Sequence, residues 1–397
     1  MPRFLMTRPV QIPDTLKLTR YQKLPELGPR VLFFSGGSAL NGLSRTLKAY
    51  THNSIHLVSA FDSGGSSAVL RKAFDMPAVG DLRSRLMALA DETVLGHPEI
   101  VRLFSYRLPK EADADSLKHQ LNRMEQGKDP LVRCIPNPMR SLICHHLGYF
   151  QQAMPDGFDL RGASIGNLIL TGGYLNNNRT LDPIIFLFSQ LVNVRGTVRA
   201  ISGDERQLMA ELEDGSCVIG QHLLTGKEVA PIRSAIHHLS LVRSQKKPKP
   251  AGSKLRKSNR KLLASAELIC YPPGSFYSSL VANLLVSGVG EGVADNPCPK
   301  IYIPNLGQDP EQFGMTLRQQ VDALIAYLQA DLAEPVPVSR LLNLVLLDSR
   351  YLSGVDETFK AHLDTLGIQL VDMDLTDPAQ PEVYDNEKLV SALLSMT

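Results

Sequence analysis

Val31-Leu32-Phe33-Phe34-Ser35-Gly36-Gly37-Ser38 is a short apolar run stopped by a pair of glycines between serines. An apolar-periodic segment, Leu40 to Tyr50, follows it. That order predicts a strand, a glycine turn and a helix. The unit returns at once. Ile55 to Phe61 is strand-like, Asp62-Ser63-Gly64-Gly65-Ser66-Ser67 breaks it, and Val69 to Phe74 suits a helix. A further turn, Pro77-Ala78-Val79-Gly80-Asp81, opens a helix from Leu82 to Ala90, with Asp81 placed to act as its N-cap.

The same reading extends in both directions. Residues 1–28 are proline-dotted and without period, so they read as an extended lead-in. Residues 91–195 read as mainly helical, with Ser164-Ile165-Gly166-Asn167 leading an apolar segment. Ala210 to Ile219 alternates around Asp214-Gly215, a hairpin signal. Residues 243–261 carry nine Lys or Arg and no acid, which reads as a solvated, mobile basic loop inserted before the sheet resumes. Strands follow at Glu267–Tyr271, Lys300–Pro304, Leu342–Leu347 and Ile368–Val371. A helix runs from the Pro272-Pro273-Gly274-Ser275 turn through Leu285, and others fit Glu357–Leu366 and Glu387–Met396. Thr316 with Gln319 forms a capping box for the helix ending near Ala330. Strands alternating with helices define an α/β fold: a Rossmann-like, mostly parallel sheet flanked by helices, in one domain over residues 29–397.

Composition narrows the class. Of the 397 residues, 43% are hydrophobic and 21% charged, so a sizeable core can form and disorder is excluded. A net charge of +2 gives no global case for nucleic acid. The basic segment 243–261 also lacks an aromatic residue to stack on bases. Its remaining functional reading is a lid over an anionic ligand. Five scattered cysteines without a C-x-x-C read as reduced thiols of a cytoplasmic protein. The Met-Pro-Arg start lacks the apolar run of a signal peptide. The longest apolar stretch, Ile184 to Val194, is too short to span a membrane and contains Gln190 and Asn193.

In a parallel sheet, ligands sit beyond the carboxyl ends of the strands. The strand ends here carry Gly36, Gly37 and Ser38; Asp62, Gly64, Gly65, Ser66 and Ser67; Gly274 and Ser275; and Asn305. Glycine lets backbone approach a phosphate closely, and the following helix offers N–H groups and the positive end of its dipole. Asp62 and Asp81 are placed to hold Mg²⁺ bound to phosphate oxygens. Their plainer readings are an Asx-turn and a helix cap. Arg71 and Arg83 are candidates for bidentate pairing with phosphate, against the plainer reading of solvated helix arginines. Cys144-His145-His146 and His237-His238 lack a second ligand pair at zinc spacing. The chain has no G-x-S-x-G elbow of a serine hydrolase.

These segments resemble the CofD and YvcK family. Phe33-Phe34-Ser35-Gly36-Gly37-Ser38-Ala39-Leu40 looks like its first glycine-rich strand end. Asp62-Ser63-Gly64-Gly65-Ser66-Ser67 followed by Leu70-Arg71 resembles its A-D-D-G-G-S-S-x-x-L-R, and Gly80-Asp81-Leu82-Arg83 its P-P-G-D-I-R. Ser164-Ile165-Gly166-Asn167-Leu168, the hairpin at Glu213-Asp214-Gly215, Pro273-Gly274-Ser275-Phe276-Tyr277 and Lys300-Ile301-Tyr302-Ile303-Pro304-Asn305 continue the match in order. The resemblance implies a CofD-like fold, usually a homodimer. CofD transfers a phospholactyl group from a lactyl diphosphonucleoside to a deazaflavin with Mg²⁺. YvcK-type relatives bind UDP-sugars and act in envelope and carbon-metabolism control. On this resemblance Asp62 helps hold metal or a diphosphate, and Gly64, Gly65, Ser66 and Ser67 cradle phosphate. Asn167, Gly274, Ser275 and Asn305 line the nucleotide pocket. Ser63 stands where the family has its second acid, and Ser84 where it has asparagine. The pattern is nearer the YvcK side, or a separate CofD-related branch labelled the GAK system.

The sequence therefore supports a transferase that binds a nucleotide diphosphate ligand and moves a phosphoryl-linked group with Mg²⁺. Against it stand a nucleotide-sugar-binding regulatory protein without turnover, and a dimeric scaffold whose site has lost its ligand. Asp62 and Asp81 favour the first, and Ser63 the second.

Overall fold

The structure is a computed structural model that describes residues 9–226, 229–246 and 248–397. Among the described residues, ten strands form two sheets. The large one contains β1 (Val31–Ser35), β2 (Ile55–Val58), β3 (Thr197–Ala200), β7 (Leu268–Tyr271), β8 (Lys300–Tyr302), β9 (Leu344–Leu347) and β10 (Gln369–Asp372). Its order is β10-β9-β8-β7-β1-β2-β3, and every pair is parallel. β1 lies inside the sheet, between β7 and β2, and is buried along its whole length. Such a strand must be apolar on both faces, which explains the unbroken Val31–Phe34 run.

The two faces of β1 feed two different cores. Val31 and Phe33 pack with Leu43, Leu47, Leu389 and Leu393, from the helices Asn41–Leu47 and Asn386–Ser395. Leu32 and Phe34 pack with Ile269, Tyr271, Val281 and Val345 on the opposite side. This is the period-2 alternation of a pleated strand. Truncating either phenylalanine to alanine costs about 3–5 kcal/mol.

The connection from β2 to β3 holds the helical section, which runs from Gly65–Phe74 to Leu181–Leu191. Its own core gathers Ile143, Leu147, Phe150, Ile169 and Phe188 and meets the sheet at Val58 and Val198. A second, antiparallel sheet contains β4 (Gln207–Leu212), β5 (Cys217–Ile219) and β6 (Ile236–Val242), in the order β5-β4-β6. The expected hairpin is β4-β5, with Gly215 at φ +83° in its turn. β6 is an addition that the sequence reading did not contain.

Two expectations are corrected. The lead-in before residue 28 contains a helix, Thr15–Lys23, capped by Asp14, whose carboxylate accepts the Lys17 N–H. None of its residues is buried, so it carries no strong apolar stripe. It is held by Lys17 Nζ, which donates to the Ser395 and Thr397 carbonyls at the end of the last helix. The basic segment is also no free loop across its described residues. Ser253 is buried and donates to Asp204. Arg256 pairs with Asp182 at 2.7 Å. Asn259 is buried in a helix, Lys257–Ser265, and holds the Ala200 and Ile201 carbonyls. These partners are remote in sequence, so composition alone reads the segment as solvated. Lys247 lies outside the described residues.

Candidate functional site at the sheet switch point

From β1 the chain winds towards β2 and β3; from β7 it winds the other way through β8 to β10. The switch point therefore lies between β1 and β7, where a doubly wound sheet opens a crevice. A cleft of about 630 Å³ sits there, within the size range of small-molecule sites. Its walls include Ala39, Leu40, Gly274, Ser275, Asn305 and Asp309. Asp377, Gln380 and Glu382 to Asn386, leading from β10 into the last helix, line it as well.

The first turn is pressed against its neighbours. A Cβ at Gly36 would lie 2.3 Å from Ser279 Oγ, so only glycine fits. A Cβ at Gly37 would lie 3.6 Å from Asp81 Oδ1, which places the Asp81 carboxylate over this turn. Ser38 is exposed. Arg85, fully buried, holds the turn from below. It donates to the Gly37 carbonyl at 3.1 Å, the Gly36 carbonyl at 3.4 Å and Ser44 Oγ at 2.7 Å. Burial lowers its guanidinium to about 10, against the pull of Asp81. Sequence reasoning missed Arg85. Its signal was the i+4 spacing from Asp81, which a helix turns into proximity.

Asp81 is not the expected N-cap. The helix is Gly80–Leu89 with Val79 at the cap, and Asp81 sits in its first turn. There a carboxylate is favoured by the helix dipole and also reaches Gly37.

The second turn lies alongside. Asp62 Oδ1 accepts the Gly64 N–H at 3.0 Å, so the Asx-turn reading holds. A Cβ at Gly80 would lie 2.5 Å from Ser67 Oγ, 3.5 Å from Asp62 Oδ2 and 3.9 Å from Asn167 Nδ2. Gly80 therefore marks where these side chains converge. Asn167 is buried and donates to Ser66 Oγ at 3.0 Å, while its Oδ1 accepts from Arg83 Nε at 2.9 Å. Arg83 also donates to the Phe104 carbonyl. Burial, with Arg107 nearby, lowers Arg83 to about 10, and Asp81 opposes that shift. The helix starting at Gly65 has Gly64 at its N-cap, which brings no side chain of its own. Gly65 takes φ +47° in this turn.

Arg71 is corrected. Its guanidinium donates to the Phe61, Asp62 and Arg206 carbonyls and is buried, so it braces the second turn rather than reaching for phosphate.

The third turn also departs from expectation. Gly274 takes φ +145°, and its N–H and C=O are both bonded to the Asn305 amide. The segment after it, Phe276–Val281, opens as a π-turn in which Leu280 N–H reaches back to the Ser275 carbonyl. Its first N–H groups are not open to a ligand. Asp309 accepts from Phe276 at 2.7 Å, and Glu311 accepts from Tyr277 and Ser278 at 2.9 and 2.7 Å. Resident carboxylates thus occupy this helix start. Sequence reasoning missed both, because they reach it from a separate loop. Gly274, Ser275 and Asn305 shape the cleft wall, while Asp62, Asp81, Ser66, Ser67, Asn167 and Arg83 gather at the neighbouring turns.

Among the described residues, no group of three or more His, Cys, Asp or Glu side chains is poised as a metal cage. His146 is buried and held neutral, lowered to about 4 by desolvation. The oxygen donors Asp62 and Asp81 still fit Mg²⁺, which takes one or two carboxylates and completes its shell with phosphate and water.

This architecture is that of a doubly wound α/β protein with glycine turns and carboxylates around its switch-point crevice. The chain matches the family of 2-phospho-L-lactate transferase CofD over residues 31–381, and it belongs to that family. It is 28% identical over 312 residues to a gluconeogenesis factor of Bacillus subtilis, covering 78% of each chain. It is 29% identical over 286 residues to one of Listeria monocytogenes, covering 71% of this chain and 68% of that one. A longer relative from Nostoc sp. is 28% identical over 302 residues, which are 75% of this chain and 52% of its own length. This chain therefore spans about half of that relative. The crystal structure of a UPF0052 family member from Bacillus halodurans shares the fold, with a TM-score of 0.66 at 24% identity over 92% of this chain and 99% of that one.

Proposed function

We propose that this chain binds a nucleoside-diphosphate-linked ligand across the switch point and transfers a phosphoryl-linked group of the phospholactyl type. The observation that supports this most is the convergence of Asp62, Ser66, Ser67, Asn167 and Arg83 around Gly80, at the same edge of the sheet as the 630 Å³ cleft. The nucleoside enters the cleft between Leu40 and Asn305. The diphosphate lies over the glycine turns at Gly36–Ser38 and Gly64–Ser67. Asp62 and Asp81 would hold Mg²⁺, which when bound neutralises charge on the phosphates. Arg83, kept cationic and fixed by Asn167, supplies charge at the same place. Arg85 holds the first turn in shape, so the turn does not reorganise as charge develops.

A second reading is a sensor that binds a nucleotide sugar without turnover. It is favoured by Ser63 in place of an acid, and by the gluconeogenesis-factor description of relatives. In either reading the protein acts as a homodimer in the cytoplasm. Among the described residues no helix is long and apolar enough to cross a membrane.

A thermal-shift panel of UDP-, GDP- and ADP-linked ligands, with and without Mg²⁺, tests the reading, because a ligand of the native state raises the midpoint. A Mg²⁺-dependent rise lost in Asp62→Ala supports the transferase. A rise that ignores Mg²⁺ and survives in Asp62→Ala supports the sensor. No rise with any ligand contradicts both.

A further inference from the structure

The second turn carries a pair that nucleotide binding leaves unused. Ser63 Oγ and His222 Nδ1 lie 2.8 Å apart. The His222 backbone N–H donates to the same Oγ at 3.3 Å. The hydroxyl has one hydrogen to give and can turn it to the ring nitrogen while its oxygen accepts the backbone N–H. In that arrangement Nδ1 is the acceptor and the ring proton sits on Nε2. Gln221 Oε1 lies 3.5 Å from the Ser63 N–H and accepts from it.

The approach depends on glycine. Gly220, at the end of the small sheet, has φ +114°. A Cβ there would lie 2.9 Å from His222 Cε1 and 3.3 Å from Ser63 Oγ. Ser63 itself stands between strand β2 and the helix Gly65–Phe74. A serine on a sharp strand-to-helix turn, with a histidine on its oxygen, is the arrangement of an activated nucleophile.

We propose that Ser63 is a nucleophile toward phosphorus and that His222 is its base. The proposal goes beyond ligand binding, and rests on that reading only for the diphosphate lying at this turn. Ser63 Oγ attacks the distal phosphorus of the diphosphate, and its proton passes to His222 Nδ1. The bond from that phosphorus to the bridging oxygen breaks, and the nucleoside monophosphate leaves with the electron pair. Ser63 then carries the phosphoryl-linked group as a phosphate ester. An acceptor hydroxyl attacks the same phosphorus and the Oγ–P bond breaks. His222 returns its proton to Oγ, and the acceptor's proton passes to water.

A fluorophosphonate probe tests this on the full chain without a nucleotide, because it reports an activated serine directly. The expected result is an adduct on the Ser63 peptide by mass spectrometry, with loss of fluoride. Ser63→Ala removes the adduct. His222→Gln, which can keep the hydrogen bond but not the base, slows labelling by about 100-fold or more. His222→Ala is slow as well, and added imidazole restores its labelling. Melting curves of the variants check that the fold persists. No adduct on Ser63, or labelling equally fast in a folded His222→Gln, overturns the proposal. Nucleotide binding that persists in an unlabelled protein would leave the binding reading standing and remove this one. Labelling without nucleotide binding would keep Ser63 as an activated nucleophile and overturn the diphosphate as its substrate.

Discussion

The Asn305 side chain grips the backbone of Gly274 at both ends: its Oδ1 accepts the Gly274 N–H at 2.7 Å, and its Nδ2 donates to the Gly274 carbonyl at 2.7 Å. One residue follows β8 and the other turns the chain after β7, so the bond pair joins the loops beyond two neighbouring strands in the cleft wall.

Asn305→Asp keeps the acceptor and removes the donor, so a carboxylate oxygen faces the Gly274 carbonyl. Loss of that bond costs about 1–3 kcal/mol. Urea unfolding reads the stability loss. If the cleft holds the nucleoside, affinity falls with it, and a binding titration checks that.

Arg85 is the only described side chain bonded to both the Gly36 and Gly37 carbonyls. Arg85→Met leaves these carbonyls and Ser44 without their donor inside the protein. The cost is about 1–3 kcal/mol for each buried group left unsatisfied. Arg85→Lys recovers part of it, because an ammonium keeps the charge but not the planar fork. Thermal melts of the variants give the order wild type, Lys, Met.

Gly80→Ala separates the site from the fold. The new Cβ meets Ser67 Oγ at 2.5 Å, at the point where Asp62 and Asn167 also converge. In a helix alanine is favoured over glycine by about 1 kcal/mol, so stability is expected to hold once the Ser67 hydroxyl turns aside. Affinity for the diphosphate ligand is expected to fall about tenfold, equivalent to about 1.4 kcal/mol. Calorimetric titration of wild type and variant measures both constants.

Much of this was legible in the sequence, and the exceptions share a cause. The Val31–Phe34 run, the hairpin around Asp214-Gly215, and the Thr316–Gln319 capping box are local patterns, and the structure contains each of them. The helix Thr15–Lys23 has no buried face, so periodicity could not announce it. Arg71 and Arg85 resemble solvated helix arginines until the turns they brace are in place. Asp309 and Glu311 cap a helix start more than thirty residues before them, and no local pattern encodes that. His222 faces Ser63 across 159 residues. Sequence reading thus found the turns, and tertiary structure decided which groups hold them.

Glu311 gives a pH dependence with a defined sign. Burial, with Asp309 beside it, raises its carboxyl from 4.5 to about 7. Between those values the folded chain holds more protons at this group than the unfolded chain does. Its contribution to stability is therefore fully present below about 4.5 and is lost as pH rises through about 7. Glu311→Gln keeps an oxygen for the Tyr277 and Ser278 N–H groups and removes the titration. A urea-unfolding series across that window should show a downward slope in wild type that flattens in the variant.

The central claim is that a nucleoside diphosphate lies across the switch point with its phosphates over the two glycine turns. A crystal of the protein grown with a nucleoside diphosphate and Mn²⁺ in place of Mg²⁺ tests it most directly, because the anomalous signal of manganese locates the metal without assumption. The expected result is a manganese peak bonded to Asp62 or Asp81, with phosphate density over Gly36–Ser38 and Gly64–Ser67 and the nucleoside between Leu40 and Asn305. A nucleotide seated elsewhere, such as the groove between His237 and Phe313, with no manganese at either aspartate, would contradict it.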